Sequence, residues 1–236
     1  MKKIESEDTH FDRFASEYDE ALRKGISISG EDKDFFASRR IQWLCDTLSK
    51  RDFFPSRICD FGCGTGSASP HVFRQFPFAT LIGADISMKS LEIARTSHGN
   101  KNTIFISISE LSKEAPCDLV FCNGVFHHIP LRDRPAAVQA ITNILRPGGY
   151  FALFENNPYN PGTRFIMKRC PFDDDAILVA PSEAIALHRS VSLEIVLTRY
   201  LFIFPHFLHF LRPLEKPLSP LPFGAQYVVI GRKPTK

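Results

Sequence analysis

RICDFGCGTGSAS, residues 57–69, is the stretch on which the reading of this chain turns. A short apolar run closes on Asp60, glycines follow at 62, 64 and 66, and a Ser-rich helix start carries Pro70 in its first turn. Glycine at alternate positions lets the backbone turn sharply and come into van der Waals contact with a ligand, where any Cβ would intrude. A dinucleotide dehydrogenase would present GxGxxG; here the third glycine comes one residue early and position 67 is Ser. The stretch therefore predicts strand, ligand-bearing loop and helix in succession.

Outward from this unit, short apolar runs alternate with helix-like stretches, which argues for parallel strands joined by helical crossovers. Strands are predicted at Arg57–Asp60, Thr80–Ala84, Thr103–Ser107, Leu119–Cys122 and Gly149–Glu155, all apolar as strands covered on both faces should be. Two further β-rich stretches lie at Leu193–Phe204 and Ala225–Arg232. Over Asp34–Lys50, Ala37, Ile41, Leu44 and Leu48 form one apolar helical stripe. Helices are also predicted at Met88–Ser97 with Ser87 as N-cap, at Arg134–Arg146 with Asp133 as cap and Pro135 in the first turn, and at Ser182–His188. Pro147, Gly148 and Gly149 should stop the third of these helices and turn the chain into a strand. The fold class is α/β, a doubly wound and mostly parallel sheet.

Two more features fall at telling distances. Asp85, in LIGADIS, ends the second strand 19 residues past Gly66, where a carboxylate can accept both hydroxyls of a ribose. The fourth strand runs into Cys122-Asn123-Gly124-Val125-Phe126-His127-His128-Ile129-Pro130. In a doubly wound sheet the carboxyl ends of the first and fourth strands flank the topological switch point, so the glycine loop and this His-rich loop should face one crevice.

The set DFGCGTG, ADIS, DLVFCNGVFHHIP and LRPGGYFALFE, in this order and at these spacings, resembles the class I S-adenosylmethionine-dependent methyltransferases. The resemblance spans Phe11 to Glu155 and extends more loosely to the last two strands, implying a seven-stranded Rossmann-like sheet with an antiparallel last strand. It implies S-adenosyl-L-methionine as cofactor and S-adenosyl-L-homocysteine as product. Gly62, Cys63 and Gly64, with Gly66 closing the loop, would pass beneath the methionine part. Asp60 would take its amino group, Asp85 the ribose and Ile86 the adenine, with Asn123 facing the methionine end. Where the family often carries an Asp after the third strand, this chain offers Ser107 and Ser109.

The domain reading that follows is a helical lid or leader over residues 1–50 and a cofactor-binding domain over 51–236. FDRFASEYDEAL resembles the family's opening lid helix, which makes Tyr18 a candidate contact; Phe11, Phe14 and Tyr18 could equally dock that helix on the body. His127 and His128 are candidate bases, with His128 ahead; packing is the competing reading of both. Glu155, Asn156 and Asn157, ending the fifth strand, are candidate acceptor contacts. Arg164, with Lys168 and Arg169, could hold an anionic group, against an acidic cluster at Asp173–Asp175. Asn157-Pro158-Tyr159 follows the fifth strand rather than the fourth, and Pro116-Cys117 precedes the fourth, so neither matches a nucleic-acid base methylation motif.

Composition bounds the remainder. With 236 residues, 23% charged and 44% hydrophobic, the chain can bury a core without disulfide or metal staples, and its net charge of +3 is no nucleic-acid footprint. No apolar run is long enough to span a membrane, and MKKIESEDTH lacks a secretory h-region, so a cytoplasmic protein is expected. Peripheral membrane contact stays open, as does monomer or homodimer. The six cysteines show no CxxC pair, so free thiols and no metal site are expected.

Of 22 Phe and 17 Pro, Phe202, Phe204, Phe207, Phe210 and Phe223 gather with Pro205, Pro213, Pro217, Pro220 and Pro222. They form an insertion, at about 205–223, between the last two strands. Packing, a dimer or membrane contact, or cover for an apolar acceptor would each account for it. The expected function is methyl transfer to a small-molecule acceptor, lipid-like or anionic. The alternatives are a non-catalytic S-adenosylmethionine-binding regulatory protein and a nucleotide-dependent oxidoreductase.

Overall fold

A computed structural model describes residues 29–169 and 176–235. Seven strands form one sheet in the order β3-β2-β1-β4-β5-β7-β6. They are β1 (Arg57–Phe61), β2 (Thr80–Asp85), β3 (Thr103–Ser107), β4 (Cys117–Asn123), β5 (Leu145–Asn156), β6 (Glu194–Leu201) and β7 (Gln226–Arg232). The first five pair in parallel, and β7 lies antiparallel between β5 and β6. The order reverses between β1 and β4, so the crevice expected there exists, with the carboxyl ends of both strands on its floor.

Alternation along the strands feeds two apolar layers. On one face Ile58, Leu119, Phe121 and Phe154 pack with Ile41, Leu44 and Leu48 of α1 (Lys33–Ser49) and Val72 of α2 (Ser69–Gln75). On the other, Phe61, Val120, Phe151 and Val229 pack with Val138 and Ile141 of α4 (Arg134–Ile144) and Ala184 and Leu187 of α6 (Pro181–Ser190). Leu44, Leu48, Ile58 and Leu119 are fully buried, each stabilising the fold by roughly 1.5–3 kcal/mol relative to exposure. Because α1 supplies this layer, residues 33–49 pack into the body of the fold. Phe11, Phe14 and Tyr18 lie outside the described residues, as do Cys170 and Asp173–Asp175.

Helix α3 (Met88–His98) starts as its sequence predicts, with the Ser87 hydroxyl accepting the Ser90 N–H at 3.1 Å. Two local expectations are corrected. Asp133 occupies the N-cap position of α4, but its side chain makes no capping bond. The Pro147-Gly148-Gly149 run does not stop α4, which already ends at Ile144; it lies inside β5. Gly148 takes φ +76° there, opposite an irregularity in β4, and its N–H reaches the Lys233 carbonyl at 2.8 Å. A positive-φ glycine thus lets the strand bulge and continue. Also unforeseen is α5 (Pro161–Met167), capped by Asn160, whose side chain accepts the Thr163 N–H.

Candidate active site

The glycine loop is held by the second strand: the N–H groups of Gly62 and Cys63 both donate to the Ala84 carbonyl, at 2.7 and 3.1 Å. Gly62, Gly64 and Gly66 all adopt positive φ, but for different reasons. A Cβ at Gly62 would lie 2.3 Å from Val125 Cγ2, and one at Gly66 would lie 3.0 Å from Phe105 Cζ, so packing against the protein demands both glycines. At Gly64 a Cβ would meet no atom within 4 Å. Gly64 is the one that faces outward, and the Cys63 side chain turns inward into a small cluster with Leu91, Ala94 and Phe105. Burial pushes the Cys63 thiol well above its usual pKa, leaving it a packing group.

Two carboxyl groups border this loop. Asp85 accepts the Gly64 N–H on Oδ2 at 2.7 Å and the Ser87 N–H on Oδ1 at 2.9 Å, so the second strand end and the glycine loop are bonded to each other. Asp60 is buried, and that burial, with the nearby Asp85 charge, pushes its carboxyl up to about 8 against the opposing pull of Arg40. Protonated at neutrality, it is a carboxyl that a cationic ligand would re-ionise. Ser107 pairs in register with Asp85 on the adjoining strand. Its hydroxyl lies 2.9 Å from the Ser109 hydroxyl and accepts the Ser109 N–H at 3.4 Å, capping a short 3-10 turn at Ile108–Lys113. Ile86 is half-exposed beside Asp85.

Across the crevice, β4 delivers Asn123. Its Oδ1 is buried and has no hydrogen-bond partner among the described residues, an arrangement that is costly unless a donor arrives. The outward glycine, the raised carboxyl, the ribose-competent Asp85 and this orphan carbonyl fit a ligand with an ammonium at one end and a diol further on. That is the donor and acceptor pattern of S-adenosylmethionine.

The loop after Asn123 is fixed by one residue of β5. Glu155, fully buried, accepts the N–H groups of Val125 and Phe126 on Oε1 at 3.2 and 2.8 Å, and its Oε2 lies 2.6 Å from His127 Nδ1. A carboxylate only accepts, so the bridging proton sits on His127 Nδ1. His128 is half-exposed, with its ring centroid 4.1 Å from that of His127. Beneath, the buried Arg134 guanidinium donates to the carbonyls of Ile129 and Ile177 and to Glu183, and the Ile177 N–H reaches the His127 carbonyl at 2.8 Å.

Two acceptor candidates are fully buried and bonded within the protein. Glu155 spends both oxygens on the 125–127 loop, and fully buried Asn157 donates to the Pro222 and Gly224 carbonyls while accepting the Tyr159 N–H. Each is spent on backbone groups of a neighbouring chain segment that would otherwise lose those bonds. Asn156 is half-exposed and accepts from Gln226, which in turn accepts from Arg40 at 3.0 Å. Arg164 is exposed on α5. Sequence reasoning missed Arg40, Gln226 and Arg134. Arg40 carried a faint signal, lying three residues past Ala37 on the edge of the apolar stripe; the others carried none.

Comparison with known proteins agrees with this architecture. Residues 59–151 match the methyltransferase domain family. The chain is 30% identical over 159 residues to a ubiquinone biosynthesis O-methyltransferase of Paracidovorax citrulli, covering 61% of this chain and 65% of that one. It is 28% identical over 120 residues to a trans-aconitate 2-methyltransferase of Rhodopseudomonas palustris, 51% of this chain and 46% of that one. It thus spans between about half and two thirds of the length of these curated relatives. Among solved structures, the plantazolicin methyltransferase in complex with a desmethyl analogue and SAH aligns over 97% of this chain and 99% of that one, with TM-score 0.66 and 16% identity. Magnesium protoporphyrin IX methyltransferase from Synechocystis with bound SAH aligns over 95% and 98%, with TM-score 0.63 and 18% identity. The family match covers the centre of the chain, less than half of its length, and the likeness to these solved structures extends the same fold over almost all of it.

Proposed function

We propose that this protein binds S-adenosyl-L-methionine in the crevice between β1 and β4 and transfers its methyl group to a small-molecule acceptor, leaving S-adenosyl-L-homocysteine. The observation that carries the reading is the orphan Oδ1 of Asn123 facing a loop whose outward glycine, Gly64, is bonded to Asp85. When bound, the cofactor supplies an electrophilic sulfonium methyl for in-line displacement. The chain's own work is then alignment and exclusion of water, worth up to about 7–11 kcal/mol of barrier in favourable systems. Asp60 and Asn123 hold the amino-acid end, Asp85 the ribose and Ile86 one face of the base. Ser107, engaged in its turn, borders the adenine end.

His128 is the candidate proton acceptor for a hydroxyl or ammonium acceptor, and His127, tied to Glu155, fixes the ring beside it. A base of this kind adds about 10²- to 10⁴-fold. Asn156 and Arg164 remain candidate acceptor contacts on the carboxyl rim. No helix among the described residues is long and apolar enough to cross a membrane, and we place the protein in the cytoplasm as monomer or homodimer.

Calorimetric titration with S-adenosylmethionine, S-adenosylhomocysteine and NAD tests the reading. Micromolar or tighter binding of the first two is expected, and tight NAD binding without them would overturn it. A radiolabelled methyl-transfer screen then separates an enzyme from a binding protein.

A further inference from the structure

The Phe- and Pro-rich link between β6 and β7 is fixed to the same rim as the crevice. It leaves the sheet at Leu201 and returns at Gln226, which pairs with Leu201 on one side and Asn156 on the other. Its inner side is well anchored. Phe202 meets Phe36 edge to face at 4.9 Å, Glu215 accepts the N–H groups of Ile203 and Phe204, and Asn157 and Asn160 hold the carbonyls of Pro222, Gly224 and Phe223.

The outer side is the opposite of what water favours. Phe207, Phe210 and Leu214 lie on the 3-10 segment His206–Leu214 and Leu221 and Phe223 in the turn beyond Leu218, and they are 71, 65, 49, 44 and 56% exposed in that order. A segment with apolar side chains turned both inward and outward has a second apolar medium to meet.

Charge indicates which medium. Glu215, the one acid between 202 and 225, is turned back onto backbone N–H groups, and Glu31 beside the segment is paired with His206 and Arg212. No carboxylate of the segment therefore faces outward, while Lys216, His206 and His209 are exposed among the aromatic groups. Lysine is depleted at the core of protein–protein interfaces but is favoured at the lipid headgroup boundary beside Phe and Leu. Five prolines remove backbone donors and stiffen the segment, so it offers no free strand edge to a β-partner and loses little entropy on docking.

We propose that the outward face of residues 206–223 docks on an anionic membrane surface. Phe207, Phe210, Leu214, Leu221 and Phe223 enter the headgroup boundary, and Lys216 meets lipid phosphates. With the crevice opening on the same rim, the contact would present the site to an acceptor dissolved in or anchored to the bilayer. That last step rests on the methyl-transfer reading; the contact itself does not.

The test is sedimentation of the full chain with vesicles of phosphatidylcholine alone and of phosphatidylcholine with one quarter phosphatidylglycerol. Binding to the mixed vesicles, weakened by salt, is expected. Phe207→Ser, Phe210→Ser and Leu214→Ser combined should reduce it at least tenfold, and Lys216→Glu should reduce it several-fold. All four positions are exposed, and the variants should keep the thermal midpoint and the S-adenosylmethionine affinity of the parent. Failure of the parent to bind either vesicle would overturn the proposal, as would equal binding by the triple variant. So would a dimer in light scattering that the triple variant abolishes, which would make this face a contact between copies. Loss of cofactor binding in the parent would instead count against the crevice reading.

Discussion

The two halves of the sheet are built by different means. In the β1–β2–β3 half, the site is made of backbone: three positive-φ glycines, paired N–H donors to the Ala84 carbonyl, and a carboxylate that closes the loop over 21 positions of sequence. In the β5–β7 half, loops are held by single side chains reaching carbonyls or amides far along the chain. Asn157 reaches residues 65 and 67 positions away, Asn160 63, Thr163 62 and Arg134 43. The first kind of construction tolerates almost no change in residue type at a few positions. The second spreads its dependence over polar residues that look ordinary one at a time.

The largest effect is expected in the second half. Asn157→Ala strands the buried Gly224 carbonyl together with the part-buried Pro222 carbonyl and Tyr159 N–H, costing roughly 3 kcal/mol or more at about 1–3 kcal/mol per unsatisfied group. Urea unfolding should show the loss as a lowered midpoint at unchanged m, while the folded fraction keeps its cofactor affinity. A shift below 1 kcal/mol would break the contrast.

Gly62→Ala comes next. The left-handed backbone costs an L-residue about 1–2 kcal/mol, and the overlap with Val125 adds up to about 1–3 kcal/mol. Adding Val125→Ala should recover the overlap part and leave the backbone part, which a double-mutant cycle reads directly. Full recovery would show that the conformation itself is not strained.

Glu155→Gln keeps an acceptor for Val125 and Phe126 but turns an amide donor toward His127 Nδ1, forcing the ring to the other tautomer. A fall in kcat of roughly tenfold to a hundredfold is expected with cofactor affinity unchanged, since misplacing a reacting group by about 1 Å costs up to about 10²-fold. Nitrogen NMR of His127 reads the tautomer independently of turnover, and an unmoved tautomer would remove this role for Glu155.

Gentlest per step is a pH effect. In the free protein Asp60 holds its proton up to about pH 8, and an ammonium in the crevice requires the carboxylate. Binding below pH 8 must therefore release that proton, so affinity should rise about tenfold per pH unit toward 8 and then level off. Asp60→Asn should flatten the profile. In the unliganded fold the sign is reversed: a carboxyl raised on folding stabilises at low pH and loses that contribution as pH rises through about 8.

What could be read from sequence follows the same division. The seven strands, the glycine loop, Asp85 and the crevice were legible because they rest on local rules: glycine conformational freedom, apolar runs and helical periodicity. Helix α1 was legible from Ala37, Ile41, Leu44 and Leu48. Pro147–Gly149 misled because proline and glycine punctuate helix ends in general, whereas here the pairing of Gly148 with Lys233 keeps the strand going. Glu155 and Asn157 were assigned to an acceptor because strand ends at the carboxyl rim hold ligands in general. Only the positions of Val125, Phe126, Pro222 and Gly224, all set by tertiary packing, show that these two side chains serve the protein.

The placement of β7 between β5 and β6 has an architectural consequence. Because the last two strands form a hairpin whose tip lies on the crevice rim, the outward part of the link, at 206–221, can be lengthened, shortened or exchanged while the strand registers and the residues of the cofactor loop stay as they are, provided the carbonyls of Pro222, Phe223 and Gly224 stay in place for Asn157 and Asn160. Loop closure grows only as the logarithm of length, by about 0.6 kcal/mol per doubling. The molecule therefore joins a fixed glycine-loop half to an exchangeable rim, and a graft at 206–221 is the natural route to changing what borders the crevice.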